Sequence, residues 1–355
     1  MKNLWSALIL LIAVSCGPHG PSFRERLDAA VDSTLASYTI DQKAWQLIHV
    51  RTTALQDSLY PVGGIVLFAY DVKDSAQLMH LVDSLHALPS QPLISIDEEG
   101  GRVARIGRNK AFNVPRYESM AALSGPSEAY HCGHSIGLYL AHWGIDINFA
   151  PVADVNTNPE NIVIGNRAFS SDPSVAAPMV VNYLKGLSDA GIYGCLKHFP
   201  GHGDTKADTH FGYASTGKTW EEMLECEMIP FKAGIDAGAP LVMSAHISAP
   251  NVTSDETPAT MSRLMLTEKL RGELGFQGVI VTDGLGMGAI TRQYSAGEAA
   301  VGAILAGADI LLLPEDALQA HDAIVSAVKD SLITPERLDQ SLRRILELKL
   351  SKQIN

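Results

Sequence analysis

The stretch Lys197 to His210, KHFPGHGDTKADTH, carries three histidines, two aspartates and two lysines in fourteen residues. Asp208 and His210 stand two apart, so the carboxylate can accept a hydrogen bond from one imidazole nitrogen and leave the other facing a cleft. Such a pairing fixes the tautomer and raises ring basicity, which suits a general acid/base working near neutral pH. The same stretch permits two other readings. His198, His202, Asp204 and His210 are ligand types for a metal ion, and a polar loop whose histidines are satisfied by backbone groups would carry the same residues with no chemistry at all. Taken alone, the loop leaves all three open.

Polar residues also gather after other apolar runs. Asp283 follows Val279 to Thr282 in GVIVTDGLGM and is the best nucleophile candidate: the apolar run holds it rigidly, while Gly284 and Gly286 keep bulky side chains out of the space before it. Asp97 to Arg105, DEEGGRVAR, follows Leu93 to Ile96, and His246 follows Leu241 to Ser244.

These groups need a frame that brings distant segments to one rim. Eight short apolar runs fit the length of buried strands: Leu47–Val50, Gly63–Phe68, Leu93–Ile96, Ile145–Phe149, Ile192–Leu196, Leu241–Ser244, Val279–Thr282 and Asp309–Leu313. Helical periodicity lies between most of them, over Asp74–Leu88, Pro126–His142, Ser174–Ala190, Trp220–Ala237, Ser262–Glu273 and Ala296–Ala306. Two helices precede the first run, Phe23–Ala36 and one opened by the capping box Thr39-Ile40-Asp41-Gln42; Ala317–Val328 and a helix capped at Thr334 follow the last. Strands alternating with helices in this way predict an α/β fold, a single (β/α)8 TIM-type barrel, with an open doubly wound sheet as runner-up on pattern alone. In such a barrel the catalytic groups lie just past the strands. Pro200, Gly201 and Gly203 keep the stretch after the fifth strand from becoming a helix, so its far end can fold back over its start.

The 355 residues carry a formal charge of −12 and no basic stripe, which argues against a nucleic-acid partner. Lys2, then apolar Leu4 to Val14, then Ser15-Cys16 predict a signal peptide over 1–16, too short to remain as a membrane helix. Ala13-Val14-Ser15-Cys16 resembles the lipobox of bacterial lipoproteins, with Ala13 where Leu is usual. The expectation is therefore an exported bacterial protein, periplasmic or at the outer membrane, touching a membrane only through a lipid on Cys16. Residues 17–22 would form a tether and 23–355 one catalytic domain. Cys132, Cys195 and Cys226 remain, an odd set that builds no disulfide framework; Cys195 reads as a buried strand thiol and the other two as helix residues, with a Cys132–Cys226 bridge disfavoured.

KHFPGHGDTKADTH closely resembles the signature loop of family 3 glycoside hydrolases of the β-N-acetylglucosaminidase branch. The resemblance implies that His210 is the acid/base, Asp208 its partner, and Lys197 and His198 substrate ligands, and it sets the metal reading aside. DEEGGRVAR resembles the family's substrate-binding segment, implying that Asp97 and Arg105 hold sugar hydroxyls, roles that a two-oxygen acceptor and a guanidinium fork suit. Arg167 in IGNRAFSSDP matches a further substrate-binding element. Asp283 matches the nucleophile that forms a covalent glycosyl-enzyme, with Gly284 where the family usually has a second Asp. Glu99 and Arg102 are assigned to a salt bridge under the loop, Asp154 to structure, and His246 to a supporting place behind the site. The implied activity is that of a retaining, exo-acting β-N-acetylhexosaminidase, needing no metal or organic cofactor, monomeric, and acting on an N-acetylglucosamine-containing glycan or muropeptide. The alternatives are a phosphorylase of the same branch and a non-catalytic glycan-binding lipoprotein, which would need the rim Asp and Arg but neither Asp283 nor His210.

Overall fold

A computed structural model describes residues 21–55, 60–205 and 214–354. Its ten strands are β1 (Ile48–Arg51), β2 (Gly64–Leu67), β3 (Leu93–Ile96), β4 (Ile147–Asn148), β5 (Tyr193–Phe199), β6 (Ala214–Ser215), β7 (Leu241–Ser244), β8 (Ile247–Ser248), β9 (Val279–Thr282) and β10 (Leu311–Leu312). Eight of them form one parallel sheet in the order β10-β1-β2-β3-β4-β5-β7-β9. The ends of that order meet: Val281 bridges Ile310 in parallel, and the Leu285 amide donates to the Leu312 carbonyl over 2.8 Å. The expected (β/α)8 barrel is thus the fold. β6 and β8 make a separate two-stranded ribbon at the rim.

All four residues of β2, β3, β7 and β9 are buried, as strands covered on both faces must be. The helices around and across the barrel are α1 (Phe23–Ser37), α2 (Ile40–Gln46), α3 (Ser75–His86), α4 (Pro126–His142) and α5 (Pro173–Asp189). They are followed by α6 (Trp220–Leu224), α7 (Met228–Asp236), α8 (Pro250–Thr253), α9 (Gly288–Thr291), α10 (Ala296–Ala306), α11 (Ala317–Lys329) and α12 (Pro335–Ile354). α4 and α5 cross closely because Gly186 has no side chain; a Cβ there would stand 2.4 Å from the Tyr130 carbonyl oxygen.

Three local expectations change. The fifth strand runs on to Phe199, so Lys197 and His198 belong to β5 and not to the loop. The single helix expected over Trp220–Ala237 is two, because Pro230 lacks an N–H and its ring would strike the carbonyl of Cys226 if the turns were continuous. The helix before β9 is wound as a π-helix over Leu264–Glu273, and the Leu274 amide donates to the Lys269 carbonyl five residues back. Cys132, Cys195 and Cys226 are free thiols, the first two buried. The leader and Cys16 lie outside the described residues.

α1 and α12 close the N-terminal end of the barrel. The Tyr193 hydroxyl, at the start of β5, donates to the Leu348 carbonyl of α12 over 3.0 Å, and Lys352 pairs with Asp146 at 3.1 Å. At the same end Asp309 is fully buried against Arg271, Arg344 and the Ser341 hydroxyl.

Candidate active site

β3 is followed by three consecutive acids, of which Glu98 points away from Asp97 and Glu99. Glu98 is buried and accepts the amides of Arg105, Ile106 and Gly107 and the Tyr139 hydroxyl, all within 2.9 Å. That carboxylate curls the glycine-rich loop back on itself and returns Arg105 to Asp97, where the guanidinium reaches the carboxylate at 3.3 Å. Asn148 of β4 locks the turn from the other side, donating to the Glu98 carbonyl and accepting from its amide.

Asp97 and Glu99, two apart and on one face, both meet Lys197. Its ammonium lies 2.8 Å from Asp97 and 2.6 Å from Glu99. Glu99 also takes a two-point grip from Arg167, at 2.9 Å to Nε and 2.7 Å to an Nη. Arg167 in turn lies 3.3 Å from Nε2 of His198, whose Nδ1 faces Asp154 at 2.7 Å. Asp154 also accepts the backbone amides of His198 and His202. An unbroken chain of charged contacts therefore links the ends of β3, β4 and β5.

The charge states follow from these contacts. Burial would raise the Glu99 carboxyl, but Arg167 and Lys197 outweigh it and hold the group well below the usual carboxylate range. Burial opposes the charged form of Lys197 too, yet Asp97 and Glu99 raise it. Asp154 is likewise lowered: burial pushes it up, and His198 with the amide contacts pulls it further down.

Asp283 stands at the end of β9, its backbone amide donating to the Ser244 carbonyl of β7 over 2.8 Å and its carboxylate accepting the Gly284 amide at 2.7 Å. Burial raises its carboxyl, but the nearby imidazoles of His246 and His198, the Gly284 amide and Lys197 lower it overall, so it is ionised at neutral pH. His246 is buried behind it, with Nε2 2.9 Å from the Gly284 carbonyl and Nδ1 2.9 Å from the Thr260 hydroxyl. This supporting position agrees with the sequence reading.

Asp97, Arg105, Arg167, Lys197, His198 and Asp283 line one cavity of about 460 Å³ at the C-terminal end of the barrel, within the size range of small-molecule sites. The cavity thus brings together six of the eight expected site residues. Asp208 and His210 lie outside the described residues. What precedes them is seated firmly: a Cβ on Gly203 would fall 1.9 Å from the Val155 carbonyl, Asn161 donates to the His202 carbonyl over 2.6 Å, and Thr216 reaches Asp204 at 3.3 Å. Of the residues offered as metal ligands, Nδ1 of His198 is taken by Asp154 and Nδ1 of His202 by Thr205.

Glu99 is the residue whose weight the sequence reading missed. It was assigned to a salt bridge beneath the loop, and it does form one, but with two of the expected substrate ligands and inside the cavity wall. Its place two residues beyond Asp97 along extended chain was the available signal, since alternate residues share a face. Arg102, given the same salt-bridge role in that reading, instead donates to the carbonyls of Ile162, Val163 and Ile164.

Residues 39–348 match the glycosyl hydrolase family 3 N-terminal domain. The chain belongs to glycoside hydrolase family 3. Within that family it is 36% identical over 321 residues to beta-hexosaminidase A of Pseudoalteromonas piscicida, covering 82% of this chain and 54% of that protein. It is also 36% identical over 283 residues to a beta-hexosaminidase of Nitrosomonas eutropha, covering 78% and 80%. In structure it is similar to a family 3 beta-N-acetylglucosaminidase from Paenibacillus sp. str. FPU-7, with a TM-score of 0.85, 36% identity, and coverage of 90% of this chain and 63% of that one. The chain therefore spans about half the length of the Pseudoalteromonas relative and less than two thirds of the Paenibacillus structure.

Proposed function

We propose that this family 3 domain hydrolyses terminal β-linked N-acetylglucosamine with retention of anomeric configuration. The observation that carries the proposal is an ionised Asp283 lining one cavity with Asp97, Arg105, Arg167, Lys197 and His198. The names of the relatives supply the sugar. In this reading the hydroxyl groups of the sugar meet Asp97, Lys197 and the Arg105 fork, with Arg167 and His198 on the neighbouring side. The Asp283 carboxylate attacks the anomeric carbon and the glycosidic bond breaks, while protonated His210 gives its proton to the leaving oxygen. Neutral His210, aligned by Asp208, then takes a proton from water, whose oxygen displaces Asp283 and frees the sugar. A single catalytic domain over 23–355, and export with a lipid on Cys16, complete the proposal.

Supporting the ionised nucleophile is the ring of positive and polar groups around Asp283, which lowers its carboxyl against burial. The test is turnover of 4-nitrophenyl β-N-acetylglucosaminide. Asp283→Ala is expected to lose at least about 10³-fold in kcat, as removal of a covalent nucleophile does, while azide restores release of nitrophenol and leaves an α-glycosyl azide. Turnover unchanged in the variant, or absent from the wild type, overturns the assignment. Glycosyl phosphate formed in phosphate buffer would instead mark a phosphorylase.

A further inference from the structure

A second cavity, of about 280 Å³, lies at the N-terminal end of the barrel, away from Asp283. Its lining comes from Leu93 at the start of β3, Asp146 just before β4, His86 at the end of α3, the turn residues Gln91 and Pro92, and Lys349, Lys352 and Gln353 of α12. Lys349 is the unusual member. It is only 9% exposed, and among the described residues no carboxylate pairs with it. Lys197 is equally buried but lies against two carboxylates. The Lys349 ammonium donates instead to two neutral acceptors, Oε1 of Gln46 at 2.6 Å and the Ser90 carbonyl at 3.4 Å. The Gln46 side chain is oriented by donating its own N–H to the Pro61 carbonyl over 3.2 Å. An ammonium has three donors, so one is left over at the cavity.

The surrounding charges do not supply what is missing. Burial pushes the Lys349 amine down to about 7, although Asp146 favours its charged form. Asp146 is already engaged: one oxygen meets Lys352 at 3.1 Å and the other accepts the Ile94 amide at 2.9 Å. The Lys352 ammonium also sits 4.8 Å from the centre of the Tyr193 ring. His86 turns Nε2 to the Gly144 carbonyl at 2.8 Å and lies 3.9 Å from Asp146. His49, fully buried on β1, is pushed down to about 3 by burial and by Lys349, so it brings no charge of its own at neutral pH. With Lys352 matched to Asp146, a protonated Lys349 is a buried cation without a counterion, which is costly. An anion in the cavity would provide the absent acceptor and the absent counterion together.

We propose that this cavity binds a small tetrahedral oxyanion of the phosphate or sulfate kind, held by Lys349 with Lys352 beside it, at the end of the barrel opposite the substrate cavity. The anion takes the third donor of Lys349 and ties α12 to the turn before β3. Its binding draws a proton onto the amine wherever the pH lies above about 7. Free inorganic phosphate and the phosphoryl group of a small ester share this chemistry.

The experiment titrates the protein with sodium sulfate, inorganic phosphate and glycerol 3-phosphate by calorimetry, with sodium chloride holding ionic strength constant. Sulfate keeps one charge through neutral pH, so pH acts on the protein alone. Wild type is expected to lose about tenfold in sulfate affinity between about pH 6 and about pH 8, as the amine discharges. Lys349→Met weakens sulfate by at least about tenfold at the lower pH, the scale of one hydrogen bond to a charged group, and removes the pH dependence. Lys352→Gln weakens it about threefold, and His86→Gln keeps the pH dependence. Turnover of the nitrophenyl glycoside within about twofold of wild type shows that Lys349→Met is folded; should it fail to fold, Lys352→Gln carries the comparison. Tighter binding of glycerol 3-phosphate than of phosphate assigns an ester as the ligand, and the reverse assigns the free anion. Equal affinity in wild type, Lys349→Met and Lys352→Gln, or an anion that competes with the nitrophenyl glycoside, places the anion elsewhere and overturns the site. Absence of binding by all three anions overturns it as well.

Discussion

Glu99 shows how the cavity holds two cations beside each other without a ligand. Its carboxylate is shared between Lys197 and Arg167, both largely buried at the cavity wall and both expected to touch the sugar. Replacing it by Gln keeps the shape and removes the charge. Breaking a buried pair from one side costs about 3–5 kcal/mol, so Glu99→Gln is expected to lower stability on that scale at pH 7 and to raise KM, read by urea denaturation and by kinetics on the nitrophenyl glycoside. The pH dependence has a definite sign. Because the folded-state carboxyl is depressed below its unfolded value, its contribution is present above the unfolded pKa, about 4.3, and is lost as pH falls below that. The stability gap between wild type and Glu99→Gln should therefore narrow below about pH 4; a gap that widens there would contradict the assignment.

At the scale of elements, the site depends on how closely helices and loops approach the strands. Tyr183 of α5 donates to the Glu99 carbonyl over 3.0 Å, so the position of that helix bears directly on the acidic loop. The Gly186 crossing sets that position. Gly186→Ala would force α4 and α5 apart, and overpacking of this kind costs about 1–3 kcal/mol; the expected result is a lower melting temperature together with a higher KM, whereas loss of stability with KM unchanged would separate the helix from the site. The alternation of strands and helices was readable from apolar runs, because strands buried on both faces leave a strong signal; the runs coincide with strands to within about two residues except the fifth, whose strand continues to Phe199. The break before Met228 carried its own signal in Pro230, which the helical periodicity around it masked. The π winding of Leu264–Glu273 was not readable, since its composition is that of any amphipathic helix. Among site residues, six that stand in tight sequence motifs line one cavity, while Glu99 was underweighted because its weight comes from Arg167 and Lys197, 68 and 98 positions away, which no local pattern carries.

For the molecule as a whole, the two ends of the barrel do different work. The C-terminal end gathers the cavity, and the N-terminal end gathers a second group of buried charges around Asp309, with Arg271, Arg337 and Arg344 converging on one carboxylate. Burial pushes the Arg271 guanidinium down to about 10 even with Asp309 beside it. Removing that carboxylate leaves three guanidinium groups facing one another. Asp309→Ala is expected to lose about 3–5 kcal/mol of stability with KM for the nitrophenyl glycoside unchanged below the unfolding transition, and a shift in KM would show that the ends are coupled. α1 and α12 lie across that same end, with Arg24 of α1 reaching Glu347 of α12 at 3.1 Å. Whatever is joined to the chain ahead of Ser22 therefore leaves from the side opposite the cavity. A molecule fastened to a surface through that point would stand with its mouth outward, free to meet chain ends arriving from solution and turned away from whatever it is fastened to.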